Sequence, residues 1–323
     1  GTHAVATPAD LPAGLRAALG TTTTPPHDGL PALAAFLNGP LRPAPESSPR
    51  PWARPAARLH RARMARRARR EPLPVVAVGS ANARGAGKTT ATLFVADGLV
   101  ARGLRVAVVT RGTGATARGG DSRRHGPSAA HLGDEGAVLA LAGHTVVAGP
   151  VEEALARVGP TDVVLLEDGL QRAPAVFSVA VVDARWPGAR GPFPMGEGRA
   201  LLRPSDVAIW VRASTMFPAP ADAVLGTFVP ERVPGMPCAA FAGIGRPADF
   251  FAIVPAVRTR SFADHHRYTM DDLRDLRRWA GDLPLVTTTR DAVRLPSRAG
   301  VSHVGVRLDV PAFPWSRLLE GLP

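Results

Sequence analysis

The chain has 323 residues, is 45% hydrophobic and carries a formal net charge of +12, enough apolar material for one large core or two moderate ones. No run of about 18 apolar residues occurs, so no membrane-crossing helix is readable, and the N-terminus lacks a charged-then-apolar leader pattern. The single cysteine, Cys238, excludes an internal disulfide and gives no sign of an oxidising compartment. The expectation is a cytoplasmic protein, soluble or peripheral; its true start is left open because Gly1 is not an initiator.

Residues 1–56 are rich in Pro, Thr, Ala and Gly, and the composition predicts a poorly ordered extension. "ARLHRARMARRARRE" then predicts a basic helix over 57–72, being built from good helix formers. Between Arg42 and Arg70 ten arginines stand against one acid, Glu46, so this stretch supplies +9 of the net charge. A local basic run points to an anionic surface, membrane or nucleic acid, and equally to a merely solvated helix. No aromatic residue but Trp52 interleaves the arginines, so nucleic acid ranks last.

From Leu73 the pattern changes. "LPVVAVG", "RVAVVTRG", "DVVLLEDG", "SVAVVDA" and "DVAIWVRA" are unbroken apolar runs of strand length, as in strands buried on both faces by crossover helices. Helices fit between them at Thr89 to Arg102 and Glu135 to Ala142. A second α/β section begins near Pro237 with "CAAFAGIG" and continues through "LPLVTTTRDAV". The predicted class is α/β, a P-loop NTPase-like, mainly parallel sheet flanked by helices over 73–225, with a smaller α/β lobe over 226–323.

One stretch carries specific chemistry. "VVAVGSANARGAGKTTATLFVADGL" (75–99) contains Lys88, the sole lysine beside 38 arginines. A strand, a glycine-containing loop and a helix start form a phosphate cradle, and backbone N–H groups and the helix N-terminus supply its positive potential. Gly85, Ala86, Gly87, Lys88, Thr89 and Thr90 are the candidate ATP-binding residues, with the ammonium on the β- and γ-phosphates and the Thr89 hydroxyl on Mg²⁺. Arg is a poor substitute for this lysine, because its planar fork is larger than the compact ammonium the loop is shaped around. Asn82 stands where the strict pattern has its first glycine. Further on, "VVLLEDG" ends a buried strand with Glu167 and Asp168, an acidic pair suited to the same magnesium. ATP and Mg²⁺ are the implied cofactors.

Eight segments occur together in one order: "VAVGSANARGAGKTT" (76–90), "VVTRGTG" (108–114), "LGDEGAVLA" (132–140), "LLEDGLQR" (165–172), "PMGEGRALLRPSD" (194–206), "FAGIGRPADFF" (241–251), "SFADHHRY" (261–268) and "VTTTRDAVRL" (286–295). In this order the chain resembles the tetraacyldisaccharide 4'-kinase family of lipid A biosynthesis, over about residues 50 to 300. The family's P-loop also lacks the usual first glycine. The resemblance implies transfer of the ATP γ-phosphate to the 4'-hydroxyl of a tetraacylated glucosamine disaccharide 1-phosphate, at the cytoplasmic face of the inner membrane. It implies Asp134 as acceptor of the hydroxyl proton, His265 as its partner and Arg199 as a cation for the transition state. Arg111 and Gln171 are the candidate substrate contacts. Asp134 also suits a helix N-cap, and Arg199 an ordinary surface role.

The departures are Glu167 for an aspartate, Arg172 for a histidine, Ala200 for a glutamate, Ser80 for an asparagine and Arg84 for a loop glycine. In place of the family's N-terminal membrane helix stands the Arg-rich segment 57–70, expected to dock on anionic lipid. Other readings are a P-loop kinase for a different glycolipid and a nucleotide-binding pseudoenzyme. Lys88, Asp134, Asp168 and His265 speak against the latter.

Overall fold

The computed structural model describes residues 73–80, 87–170, 175–185, 207–296 and 300–322. The expected N-terminal extension and the basic helix 57–72 lie outside them. In chain order the elements are β1 (Val75–Ser80), α1 (Lys88–Val100), β2 (Val106–Thr110), α2 (Ser122–His125), α3 (Ala129–Leu141), β3 (Thr145–Ala148), α4 (Val151–Leu155), β4 (Val163–Glu167), β5 (Phe177–Asp183) and β6 (Val207–Val211). There follow β7 (Val224–Glu231), β8 (Cys238–Ala242), α5 (Pro247–Phe251), β9 (Ala256–Ser261), α6 (Met270–Ala280), β10 (Leu285–Thr288), α7 (Thr289–Ala292), β11 (Val301–Asp309) and α8 (Trp315–Leu319).

These elements fall into two compact units. The first holds the described residues up to Phe228 and those from Arg307 onward; the second is Val229–Val306. In the first, the strands run in the order β3-β2-β4-β1-β5-β6-β7, and every neighbouring pair is parallel. β1, β4 and β5 are buried along their whole length, which accounts for their unbroken Val, Ala and Leu runs. One core cluster joins Val75, Ala77, Val109, Val147, Val164 and Leu166 across four strands.

The last seventeen residues do not belong to the expected lobe of 226–323. Residues from Arg307 return to the first unit. The reason is aromatic packing: Phe94 of α1 stands 5.2 Å from Phe313 and 5.4 Å from Trp315, centroid to centroid. Trp315 closes on Gly98, where a Cβ would come within 1.9 Å of the ring.

The second unit carries β11, β10, β8 and β9 in that order, again all parallel. Helix α6 buries Leu273, Leu276 and Ala280 against Phe241, Tyr268 and Leu285. Its start is fixed by a reciprocal capping box between Thr269 and Asp272.

Candidate active site

β1 and β4 are neighbours, with Val78 paired to Glu167. The carboxyl ends of both strands therefore meet, the place where open parallel sheets bind ligands. Past the end of β1, α1 begins at Lys88 behind Gly87, which sits in the left-handed region at φ 90°. A Cβ on Gly87 would come within 2.4 Å of the Phe228 ring, so a glycine is required on both counts. Lys88 Nζ lies 3.0 Å from Asp168 Oδ1. Asp168 itself has a φ of 56°, and the next N–H, that of Gly169, is donated to the carbonyl of Val78 at 3.2 Å. The acidic turn is thus fastened to the strand that leads into the phosphate loop.

Thr89 is buried at 7% exposure, and its Oγ1 has no hydrogen-bond partner among the described residues. An unpartnered hydroxyl in such a place is costly unless a ligand completes it. Glu167 is equally buried, and its Oε2 accepts the Thr110 hydroxyl at 3.4 Å. Thr110 closes β2, the strand beside β4, and so brings Arg111 to the same end of the sheet. The donor set of one hydroxyl and two carboxylates is all hard oxygen, which suits Mg²⁺ and leaves room for phosphate and water ligands.

Asp134 is 4% exposed. The span Ala129–Leu141 is two helices joined at a kink at Gly133, whose φ of 72° and ψ of 173° turn the chain, and Asp134 is the first residue of the helical stretch that follows. A Cβ at Gly133 would come within 2.4 Å of the Thr113 carbonyl oxygen, and one at Gly114 would lie 3.8 Å from Asp134 Oδ1. The loop after β2 therefore packs directly on the Asp134 turn. Arg111, at the head of that loop, is exposed.

Beside the phosphate loop lies a charged cluster that the sequence reading missed. Asp183, at the end of β5 and fully buried, accepts Arg185 Nε at 3.0 Å and Nη2 at 2.9 Å, and Arg212 Nη1 at 2.8 Å. Burial pulls the Asp183 carboxyl upward, but the Arg185 hydrogen bond and the charges of both arginines outweigh it and hold it below the usual carboxylate range. The Arg212 guanidinium stacks 4.6 Å over Phe228, the ring that packs on Gly87. The only sequence signal was an aspartate ending a buried strand.

In the second unit the two histidines of "DHH" part ways. His266 Nε2 lies 3.2 Å from Asp272 Oδ2, and its ring stacks on Phe262 at 4.7 Å. His265 adopts a φ of 60° and its side chain is 49% exposed, with Nε2 3.9 Å from Asp264 Oδ1. Gly85, Ala86, Gln171, Arg172, Arg199, Ala200 and Arg84 lie outside the described residues. Thr90 is partly buried on the first turn of α1.

A model of the tetraacyldisaccharide-1-P 4'-kinase family matches residues 52–320. The tetraacyldisaccharide 4'-kinase of Methylobacterium sp. (strain 4-46) is 38% identical over 279 residues, 76% of this chain and 83% of the relative. That of Anaeromyxobacter sp. (strain Fw109-5) is 34% identical over 292 residues, 74% of this chain and 79% of the relative. Among solved structures, LpxK from Aquifex aeolicus in complex with ATP superposes with a TM-score of 0.62, covering 84% of this chain and 99% of that one. At 18% identity, the superposition is a likeness of fold.

Proposed function

The chain belongs to the tetraacyldisaccharide-1-P 4'-kinase family, and we propose that it transfers the γ-phosphate of ATP to the 4'-hydroxyl of tetraacyldisaccharide 1-phosphate in lipid A biosynthesis. The observation that carries this reading is the convergence, at the ends of β1, β2 and β4, of Lys88, the Thr89 hydroxyl with no partner among the described residues, two carboxylates and the Asp134 turn.

In the proposed reaction Gly85 to Thr90 cradle the phosphates. Lys88 leaves Asp168 for the β- and γ-phosphate oxygens and neutralises their charge. Thr89, Asp168 and Glu167 would hold Mg²⁺, which when bound supplies a positive charge on those phosphates. Asp134 takes the proton of the 4'-hydroxyl while the alkoxide oxygen bonds to the γ-phosphorus. The bond from that phosphorus to the β–γ bridging oxygen breaks, and ADP leaves. An alcohol is a weak nucleophile, so holding it in line beside a carboxylate lowers the barrier through both position and proton removal. His265 acts in the same reaction as a proton-sharing group, Arg199 as a cation for the transferred group, and Arg111 and Gln171 as acceptor contacts. No described helix is long and apolar enough to cross a membrane. We assign the enzyme to the cytoplasmic face of the inner membrane, held there by the basic segment 57–70.

The test is phosphoryl transfer from γ-labelled ATP to tetraacyldisaccharide 1-phosphate in mixed micelles with Mg²⁺. Wild-type protein labels the lipid, whereas Lys88→Ala and Asp134→Ala each lose about 10²–10⁴-fold in kcat. Absence of transfer with intact ATP binding would refute the acceptor. Full activity of Asp134→Ala would refute its role as base.

A further inference from the structure

The "TTxxDAV" motif, Thr287 to Val293, has no part in the reaction as drawn above, yet it builds a charged centre in the interior of the second unit. We propose that Asp291, with Arg294 and Tyr268, is the positioning device that sets the backbone of His265. The proposal rests on the reading of His265 as a member of the reaction.

Asp291 is wholly buried. Its Oδ1 accepts the Gly243 N–H at 2.9 Å, the Tyr268 hydroxyl at 2.9 Å and Arg294 Nη2 at 2.8 Å. Its Oδ2 accepts the Thr288 hydroxyl at 2.6 Å. The same Arg294 nitrogen also donates to the Gly243 carbonyl at 2.9 Å. Gly243 is therefore gripped at both its N–H and its carbonyl by one buried ion pair. That carbonyl in turn accepts the N–H of His265 at 3.0 Å. From Asp291 to His265 there is an unbroken path: carboxylate, guanidinium, one peptide group, histidine. A second tether, the Thr287 hydroxyl on the Phe241 carbonyl at 2.7 Å, holds the strand that leads to Gly243.

Two features of His265 make such a device necessary. Its φ of 60° is a conformation that a non-glycine residue keeps only when its surroundings impose it. Its side chain is half exposed, with Nε2 3.9 Å from Asp264 Oδ1, so the turn of the backbone decides where the ring starts from. A side chain at Gly243 would crowd the turn, since a Cβ would meet the Ala263 carbonyl oxygen at 3.0 Å, and His266 Cβ and Tyr268 Oη at 3.1 Å each. A buried ion pair is a poor way to gain stability, since apolar residues of equal volume serve as well or better. Its geometry, with one carboxylate oxygen accepting both the Gly243 N–H and the Tyr268 hydroxyl on either side of the His265 turn, fits placement.

The test uses the full chain and the transfer assay, with Gly243→Ala, which shifts the turn, and Tyr268→Phe, which removes one hydroxyl and keeps the ring. Each is made alone and together with His265→Ala. The expected result is a roughly tenfold loss of kcat for each in the His265 background, with KM for ATP unchanged. In the His265→Ala background neither costs anything further, because residues acting through one group are not additive. Equal losses in both backgrounds, wild-type kcat in both variants, or loss of the native circular dichroism spectrum in both would overturn the proposal. Should His265→Ala alone leave kcat unchanged, the underlying reading of His265 fails, and that outcome is visible in the single variant.

Discussion

Thr89 presents the sharpest contrast between what a residue costs the fold and what it does for the reaction. Its buried hydroxyl lacks a partner among the described residues, and a hydroxyl in that position destabilises by about 1–3 kcal/mol. Valine has the same shape without the polar atom. Thr89→Val is therefore expected to raise the melting temperature of the ligand-free protein by roughly 2–6 °C while abolishing phosphoryl transfer. A differential scanning melt beside the transfer assay checks both signs; an unchanged or lower melting temperature would mean the hydroxyl is satisfied. Thr89 and Lys88 could be named as candidates from the sequence because phosphate chemistry dictates both the residue types and their adjacency. Thr110, Gly133 and Phe228 could not, since each matters through a partner that the chain brings back from far along the sequence. Asp134 was found by resemblance, but the kink at Gly133 that sets it beside the Thr113 loop has no local signature beyond a glycine.

Between elements, the Asp183 cluster is a buried polar link, tying the end of β5 to the residue after β6. Removing the carboxylate takes away the buried negative charge that two guanidiniums, 3% and 9% exposed, share. Breaking a buried pair from one side costs about 3–5 kcal/mol, so Asp183→Asn is expected to lower the melting temperature by on the order of 10 °C. The pH dependence has a definite sign. A carboxyl held below its unfolded value contributes stability that is present above that value and is lost as pH falls through the folded one. Arg123 lowers Asp121 and Arg185 with Arg212 lowers Asp183, while Arg105 holds Asp162 at about 2. The urea midpoint is thus expected to hold above pH 5, fall from about pH 4 toward pH 2, and fall less steeply in Asp183→Asn. A midpoint that rose on acidification would contradict the pairing. The parallel strands β1, β2, β4, β5 and β6 were readable as unbroken apolar runs, whereas β8 and β10 showed only as parts of a second α/β section. β9 was not readable: its pattern is "AVRTRS", an edge strand whose Arg258 and Arg260 turn onto Trp279 and Asp275 of α6. β3 has only four residues, and in β7 and β11 exposed and buried positions mix.

At the scale of the whole molecule the distribution of charge matters more than its sum. Residues 42–70 carry +9 of a total of +12, and the remainder of the chain only +3. An acceptor with four acyl chains resides in a bilayer, so an enzyme that stays at the surface meets it at a far higher effective concentration than one that must collide from solution. Each basic residue near an anionic surface contributes about 1 kcal/mol, and the attraction fades over a Debye length of about 8 Å at physiological salt. The full chain is therefore expected to sediment with vesicles containing phosphatidylglycerol and to be released as salt is raised, whereas a chain beginning at Leu73 stays in the supernatant. The same truncation should lower kcat/KM for acceptor embedded in those vesicles and leave it unchanged in neutral detergent micelles, where there is no surface charge to find. Equal sedimentation of both chains would remove the basic segment from membrane docking. Equal loss in micelles would show instead that the segment supports the fold, because a neutral surface offers its arginines nothing to bind.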